Sequence, residues 1–166
     1  MKKRLLAVLV AAACLCSLTA CGGGGTSAAP EGYSLSAVDA MAQGGAFSEE
    51  LEALDADTAF MLYRLADYEL PREALTDCSV LRSSGATCEE GAVLLFQTED
   101  QAKEAKQALL DYLQGQIDAN VDYRPAEIPK LEEARVSQVE NTLLMVVAAD
   151  LAAAEKAVPD LSEAQN

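Results

Sequence analysis

The chain has 166 residues, with 27 acidic residues against 12 basic ones and a formal net charge of −15 at pH 7. So acidic a surface repels nucleic acid, anionic lipid and anionic wall polymers, and we expect none of these as an electrostatic partner. The chain has no histidine, which excludes Ser-His-Asp and Cys-His nucleophile pairs and the His-Glu-x-x-His type of zinc site. We therefore expect no metal and no cofactor.

Residues 1–20 have the three zones of a secretory signal, which are a basic start at 1–4, an apolar run at 5–16 and small residues at 17–20. Twelve apolar residues in a helix span about 18 Å, well short of the roughly 30 Å hydrocarbon core of a bilayer. The pattern predicts a signal peptide that is removed.

Leu18, Thr19, Ala20 and Cys21 follow the apolar run and form a lipobox. This order predicts a diacylglyceryl group on the Cys21 sulfur and cleavage just before it; the alternative is an ordinary cleavage site beside an incidental cysteine. Two or more acyl chains hold a protein stably, so membrane lipid is the first predicted partner. We expect the protein on the outer face of the cell membrane, with nine basic and 27 acidic residues and a charge of −18 after cleavage.

Residues 21–34 are rich in Gly, Ser, Ala and Pro and are predicted to form a flexible tether after the lipidated cysteine. Residues 35–166 are predicted to form a single domain. Its first helix, capped by Ser34, ends at Gly44 and buries Leu35, Val38 and Met41.

A second helix is predicted over residues 58–67, with Asp55 or Asp57 as its cap. Residues 78–82 and 91–97 read as strands, joined by a turn at 83–85. The buried face of the second helix comprises Ala59, Leu62 and Ala66.

Thr98 and Gln101 form a capping-box pair that opens the longest helix, predicted over residues 99–119. A short helix at 126–133 leads to a second strand pair, at 134–139 and 143–149, and a last helix follows at 151–157. This order predicts an α+β fold of two layers, in which a small, largely antiparallel sheet packs against helices, with a split β-α-β unit as in ferredoxin-like folds.

Several of these segments, in this order, resemble a known family. The lipobox, the glycine tether, the run at 90–96, the long helix, the Tyr-Arg-Pro-Ala-Glu segment at 123–127 and the closing strand pair resemble the short Gram-positive lipoproteins of domain of unknown function 4358. The chain has Glu140-Asn141 at the last tight turn, where that family usually carries glycine. The resemblance implies an exported lipoprotein domain and supplies no catalytic residues.

We expect a non-catalytic binding or assembly module of the cell envelope, with another envelope protein or a small ligand as its partner. One alternative is an envelope hydrolase that uses paired carboxylates, although such enzymes usually need aromatic platforms and this chain has no Trp. The other alternative is a purely structural surface protein. The acidic pairs Asp55/Asp57 and Glu89/Glu90 do not continue into a calcium loop, and we attribute the excess acid to solubility.

Tyr123 and Arg124 are a possible contact site, in which Arg binds a carboxylate and Tyr supplies contact area. The competing interpretation is a loop in which Tyr123 packs on the domain. Cys78 and Cys88 are a possible disulfide, since the extracytoplasmic setting permits one. A hairpin centred on Ser84 would pair Cys88 with Val80, however, so two free buried thiols are the favoured interpretation and the disulfide is the alternative.

Overall fold

The structure, a computed structural model, describes residues 32–159 and residue 161. The described strands are β1 (Glu52–Leu54), β2 (Leu75–Arg82), β3 (Glu90–Phe96), β4 (Arg135–Val139) and β5 (Thr142–Val147). The described α-helices are α1 (Ala37–Gln43), α2 (Ala56–Leu62), α3 (Glu99–Asn120), α4 (Ile128–Glu132) and α5 (Leu151–Ala157). Short 3-10 turns cover Leu65–Tyr68, Arg72–Ala74 and Pro125–Glu127.

The five strands form one antiparallel sheet in the order β1-β2-β3-β5-β4. The predicted α+β class is thereby confirmed. Because β3 and β4 both run antiparallel to β5, they are parallel to each other, with α3 and α4 in the connection between them. This is a split β-α-β unit of the kind that the element order predicted.

Helices cover both faces of the sheet, so the molecule has three layers and the prediction of two layers is wrong. Alternate residues of β3 and β5 face opposite sides, because successive side chains of a strand point in opposite directions. Ala92, Leu94 and Met145 pack toward α2, α3 and α4. Val93 and Leu144 pack toward α1 and α5. The second layer was missed because α1 and α5, of seven residues each, lie about 100 residues apart in the chain.

The ends of the long helix follow from local sequence. The Thr98 side chain accepts a hydrogen bond from the Gln101 amide, and the Gln101 side chain accepts one from the Thr98 amide. This capping box confirms the predicted start of α3, and the Asp55 side chain, which accepts from the Thr58 amide, likewise caps α2.

The prediction for the second helix is wrong beyond Leu62. Arg64 takes a left-handed conformation with φ of 53°, which ends α2 and starts the Leu65–Tyr68 turn. As a result Leu65 is buried and Ala66 is exposed. This break separates α2 from the Leu65–Tyr68 turn, and the site described below depends on that separation.

The start of the domain also differs from the sequence prediction. Tyr33, assigned to the tether, is buried; its amide donates to Thr142 Oγ1 over 2.8 Å and its hydroxyl to Ser137 Oγ over 2.7 Å. The domain therefore includes at least this residue of the predicted tether. In the β4–β5 turn Glu140 takes the left-handed conformation with φ of 50°, and the Asn141 side chain donates to the Phe96 carbonyl.

Candidate functional site

The acidic pair at the start of β3 is buried. Glu89 has no exposed surface and Glu90 is 3% exposed, so this pair is not part of the solvated acidic surface. A buried carboxylate needs several hydrogen-bond donors to replace water. Each of the two carboxylates has its own set of donors.

Glu90 accepts bonds from three side chains. The Tyr63 hydroxyl donates to Oε1 over 2.6 Å, and the Tyr112 hydroxyl donates to Oε2 over 2.7 Å. The Arg82 Nε also donates to Oε2, over 3.1 Å, from the adjacent position on β2. The three donors come from the end of α2, the middle of α3 and the neighbouring strand, so Glu90 joins the sheet to the helical layer above it.

The electrostatics of this cluster keep both tyrosines protonated. Burial raises the pKa of Glu90 despite the three donors, which act in the opposite direction. Burial, together with the adjacent Glu90 carboxylate, raises the pKa of Tyr63 well above its ordinary value and also raises the pKa of Tyr112. Both hydroxyls are thus fixed as donors to Glu90.

The rings of Tyr63 and Tyr112 meet edge to face, with centroids 5.2 Å apart and planes at 84°. Such pairs add about 0.5–1.5 kcal/mol beyond their burial. Tyr63 reaches this position because it is the C-cap residue of α2, immediately before the left-handed Arg64.

A cleft of about 420 Å³ lies between the Leu65–Tyr68 turn and α3, which is within the usual size range of small-molecule sites. We name it the tyrosine cleft. Its lining combines aromatic, aliphatic and charged side chains: Leu62, Tyr63, Arg64, Asp67, Tyr68, Ala108, Asp111, Tyr112, Gly115 and Gln116.

An ion pair and two hydrogen bonds connect the polar groups at the rim of the tyrosine cleft. The Arg64 guanidinium lies 2.5 Å from Asp67 Oδ2. The Tyr68 hydroxyl donates to Asp111 Oδ2, and the Gln107 side chain donates to Asp111 Oδ1 over 2.8 Å. The Tyr68–Asp111 bond connects the Leu65–Tyr68 turn to α3, the two walls of the cleft.

Glu89 belongs to a separate polar cluster. The Ser48 hydroxyl and the Lys130 ammonium donate to its Oε1 over 2.6 and 2.8 Å, and the Ser48 amide donates to Oε2 over 2.7 Å. Burial acts to raise the pKa of Glu89, but the bonds from Lys130 and Ser48 outweigh it and lower that pKa below its ordinary value. The Lys130 ammonium also lies 3.1 Å from Glu127, so Lys130 forms ion pairs with two carboxylates.

The predicted contact residues Tyr123 and Arg124 have different environments. Tyr123 is 81% exposed, so the interpretation in which it packs on the domain is wrong. The Arg124 Nη1 donates to the carbonyls of Gly85 and Thr87 over 2.8 and 3.2 Å, and its Nε donates to Asn120 Oδ1 over 2.7 Å. Arg124 therefore holds the β2–β3 loop against the end of α3, and its Nε and Nη1 already have partners.

Cys78 and Cys88 are both free thiols, and the disulfide alternative is contradicted. In the ladder Cys78 lies opposite Leu94 and Val80 lies opposite Ala92, so the predicted pairing of Val80 with Cys88 is also wrong. Cys78 is four residues from Arg82 at the end of β2, about 13 Å at about 3.3 Å per residue. Cys88 lies in the loop beyond that end, whereas a disulfide needs Cα atoms within about 7 Å.

The predicted signal peptide, the lipobox residues Leu18, Thr19 and Ala20, and Cys21 lie outside the described residues. Within residues 32–159 and 161, no helix has the length and apolar character needed to span a bilayer. Among the same residues, no three acidic or cysteine side chains are grouped so as to hold a metal ion.

A scan against protein-family models found no match, and searches of curated proteins and of solved structures found none either. The resemblance to domain of unknown function 4358 therefore stays a prediction, and the arguments about function rest on the geometry of this chain.

Sequence reasoning missed Glu90 and its tyrosines, although one feature of the sequence points to them. A carboxylate that leads directly into a strand apolar on both faces has no solvated side to occupy. Tyr63 and Tyr112 lie 27 and 22 residues from Glu90 in the chain, and no local pattern connects them.

Proposed function

We propose that this chain is a lipid-anchored protein of the outer face of the cell membrane, whose domain is a binding module that takes its ligand in the tyrosine cleft. The lipobox ending at Cys21 supports the anchor. The observation that carries the binding role is the tyrosine cleft itself, an aromatic-walled cleft of about 420 Å³ with polar groups fixed at its rim.

The rigidity of the cleft walls supports this role. Tyr112 is held by its bond to the buried Glu90 and by its ring contact with Tyr63, and Tyr68 is held by its bond to Asp111. A site whose side chains are already fixed binds at a lower entropic cost than one that must be ordered by its ligand.

Gly115 provides a direct test, because it lines the cleft on α3 and a Cβ at this position would meet nothing within 4 Å beyond its chain neighbours and the nearby backbone of its own helix. Replacing a helical glycine removes an unfavourable helix propensity of about 1 kcal/mol. Gly115→Leu should therefore leave the fold intact and occupy the cleft. Gly115→Ala is the matched control, with the same gain in helix propensity and little change in volume.

The lipidated protein, purified in detergent, would be incubated with the small-molecule fraction extracted from the envelope of the cells that produce it. Mass spectrometry would then identify the compounds that remain bound. We expect at least one compound to be retained by wild type and by Gly115→Ala and to be lost from Gly115→Leu. Equal retention by all three proteins, or retention by none, would contradict the proposed role of the cleft.

A further inference from the structure

The charges in the tyrosine cleft do not balance. Two carboxylates, Asp67 and Asp111, face one guanidinium, Arg64. Arg64 pairs with Asp67, so Asp111 is left without a cationic partner among the lining residues. Its donors, Tyr68 and Gln107, are both neutral, and hydrogen bonds from Tyr68 and Gln107 lower the pKa of Asp111. The cleft therefore carries one uncompensated negative charge at neutral pH.

The tyrosine hydroxyls of the cleft already donate hydrogen bonds within the protein, whereas the tyrosine rings can still contact a ligand. The Tyr68 hydroxyl donates to Asp111 and the Tyr112 hydroxyl donates to Glu90. A ligand thus meets half-buried aromatic side chains beside a carboxylate. Aromatic faces attract cations through their quadrupole, and Tyr is among the residues that do so.

We propose that the ligand of the tyrosine cleft is a small organic ammonium ion, held over the rings of Tyr68 and Tyr112 with its positive charge toward Asp111. The inference rests on the binding role proposed above for the same cleft. The acidic chain, with a net charge of −15, raises the local concentration of cations around the cleft and lowers that of anions.

Choline and its uncharged isostere 3,3-dimethylbutan-1-ol are the probes, because they share shape and hydroxyl group and differ in the charged nitrogen. Binding to the lipidated, detergent-purified protein would be measured by saturation-transfer NMR over a titration of each probe. We expect saturable binding of choline at least about tenfold tighter than that of the alcohol. Added salt should weaken the binding of choline only, because it screens exposed charges.

Asp111→Asn tests the predicted position of the charge and has a matched control on the same helix. Asp118 accepts a bond from Gln114 four residues earlier, as Asp111 does from Gln107, but Asp118 does not line the cleft. Asp111→Asn should weaken choline binding by about threefold, the size of effect found for exposed ion pairs. Asp118→Asn should leave choline binding unchanged, and Gly115→Leu should abolish it.

Equal binding of the two probes, or no saturable binding of choline, would overturn the inference. Choline binding that survives Gly115→Leu would also overturn it, because the cation would then be held elsewhere. The binding role of the cleft has its own readout. If envelope compounds are still lost from Gly115→Leu while choline fails to bind, the cleft is a binding site and only the class of ligand is wrong.

Discussion

Tyr63 and Tyr112 touch each other edge to face and donate their hydroxyls to different oxygens of the same carboxylate, that of Glu90. The two rings belong to separate helical segments, and each is oriented both by the other and by the shared acceptor. The buried carboxylate thereby fixes the floor of the tyrosine cleft from below. The first prediction concerns this arrangement.

Tyr63→Phe should lower the free energy of unfolding by about 1–3 kcal/mol, the cost of removing one partner from a buried hydrogen-bonded group. The ring stays in place, so the loss reports the hydroxyl alone. Urea unfolding followed by circular dichroism at neutral pH measures it.

Tyr68→Phe is the matched control, since it also removes a tyrosine hydroxyl that donates to a carboxylate, in this case the exposed Asp111. Water replaces the lost donor there, so stability should remain close to that of wild type. Equal losses in the two variants would contradict the assigned burial of Glu90.

The second prediction concerns the pH dependence that Glu90 adds to stability. Because burial raises its pKa in the folded protein above the ordinary value of 4.5, the folded chain holds this proton at a pH where the unfolded chain has released it. Wild type should therefore gain stability relative to Glu90→Gln as the pH falls from 7 toward 4.5. Urea unfolding of both proteins across this range measures the effect. A constant difference in the free energy of unfolding between the two proteins at every pH would contradict it.

The third prediction concerns Glu89, whose contribution to stability changes with pH in the opposite direction to that of Glu90. The pKa of folded Glu89 lies below 4.5, so its contribution is fully present above that pH and is lost as the pH falls through the folded pKa. Glu89→Gln should lower the free energy of unfolding by about 2 kcal/mol at neutral pH, as expected for a hydrogen bond to a charged group. The difference in the free energy of unfolding between wild type and Glu89→Gln, measured by urea unfolding, should become smaller below pH 4.5. The two variants make the same isosteric change at adjacent positions, so each controls for the other.

Local sequence was enough to predict most of the secondary structure. The capping box at Thr98 and the periodic apolar stripe place α3 within a residue of its ends, and α5 spans the residues predicted for it. β1 was missed because it has three residues, two of them exposed, and is defined only by pairing with β2. The early end of α2 was missed because Arg64 has no intrinsic preference for the left-handed conformation that it takes.

The site could not be predicted in the same way, because all of its decisive contacts are distant in the chain. Glu89 and Glu90 form a charged dipeptide, which is usually solvated. Their partners come from other parts of the chain: Lys130 from α4, Ser48 from the loop before β1, and the two tyrosines. The cleft likewise exists only where α3 passes the Leu65–Tyr68 turn.

The fourth prediction concerns the two cysteines of the domain. Mass measurement of the denatured, unreduced protein after alkylation should show one alkyl group on Cys78 and one on Cys88, because both are free thiols. In the native protein Cys88, which is 9% exposed, should react more slowly than the less buried Cys78. Absence of both alkyl groups would establish a bridge and refute the β2–β3 register.

The fifth prediction concerns the anchor. Cys21→Ser should abolish labelling of the chain by a fatty-acid analogue in growing cells, because the cysteine sulfur is the first acceptor of lipid. Cys16→Ser, five residues earlier in the predicted signal peptide, is the matched control and should retain the label. If Cys21→Ser is labelled as strongly as wild type, the lipobox assignment fails.

The two central strands, β3 and β5, are apolar on both faces and supply side chains to both helical layers. Detaching either layer would expose one whole apolar face of these strands to water, so partial opening costs nearly as much as complete unfolding. The amide protons of Val93 and Leu144 should therefore exchange with solvent only through global unfolding, and the domain should melt in a single cooperative step. The tyrosine cleft should therefore stay intact until the entire domain unfolds.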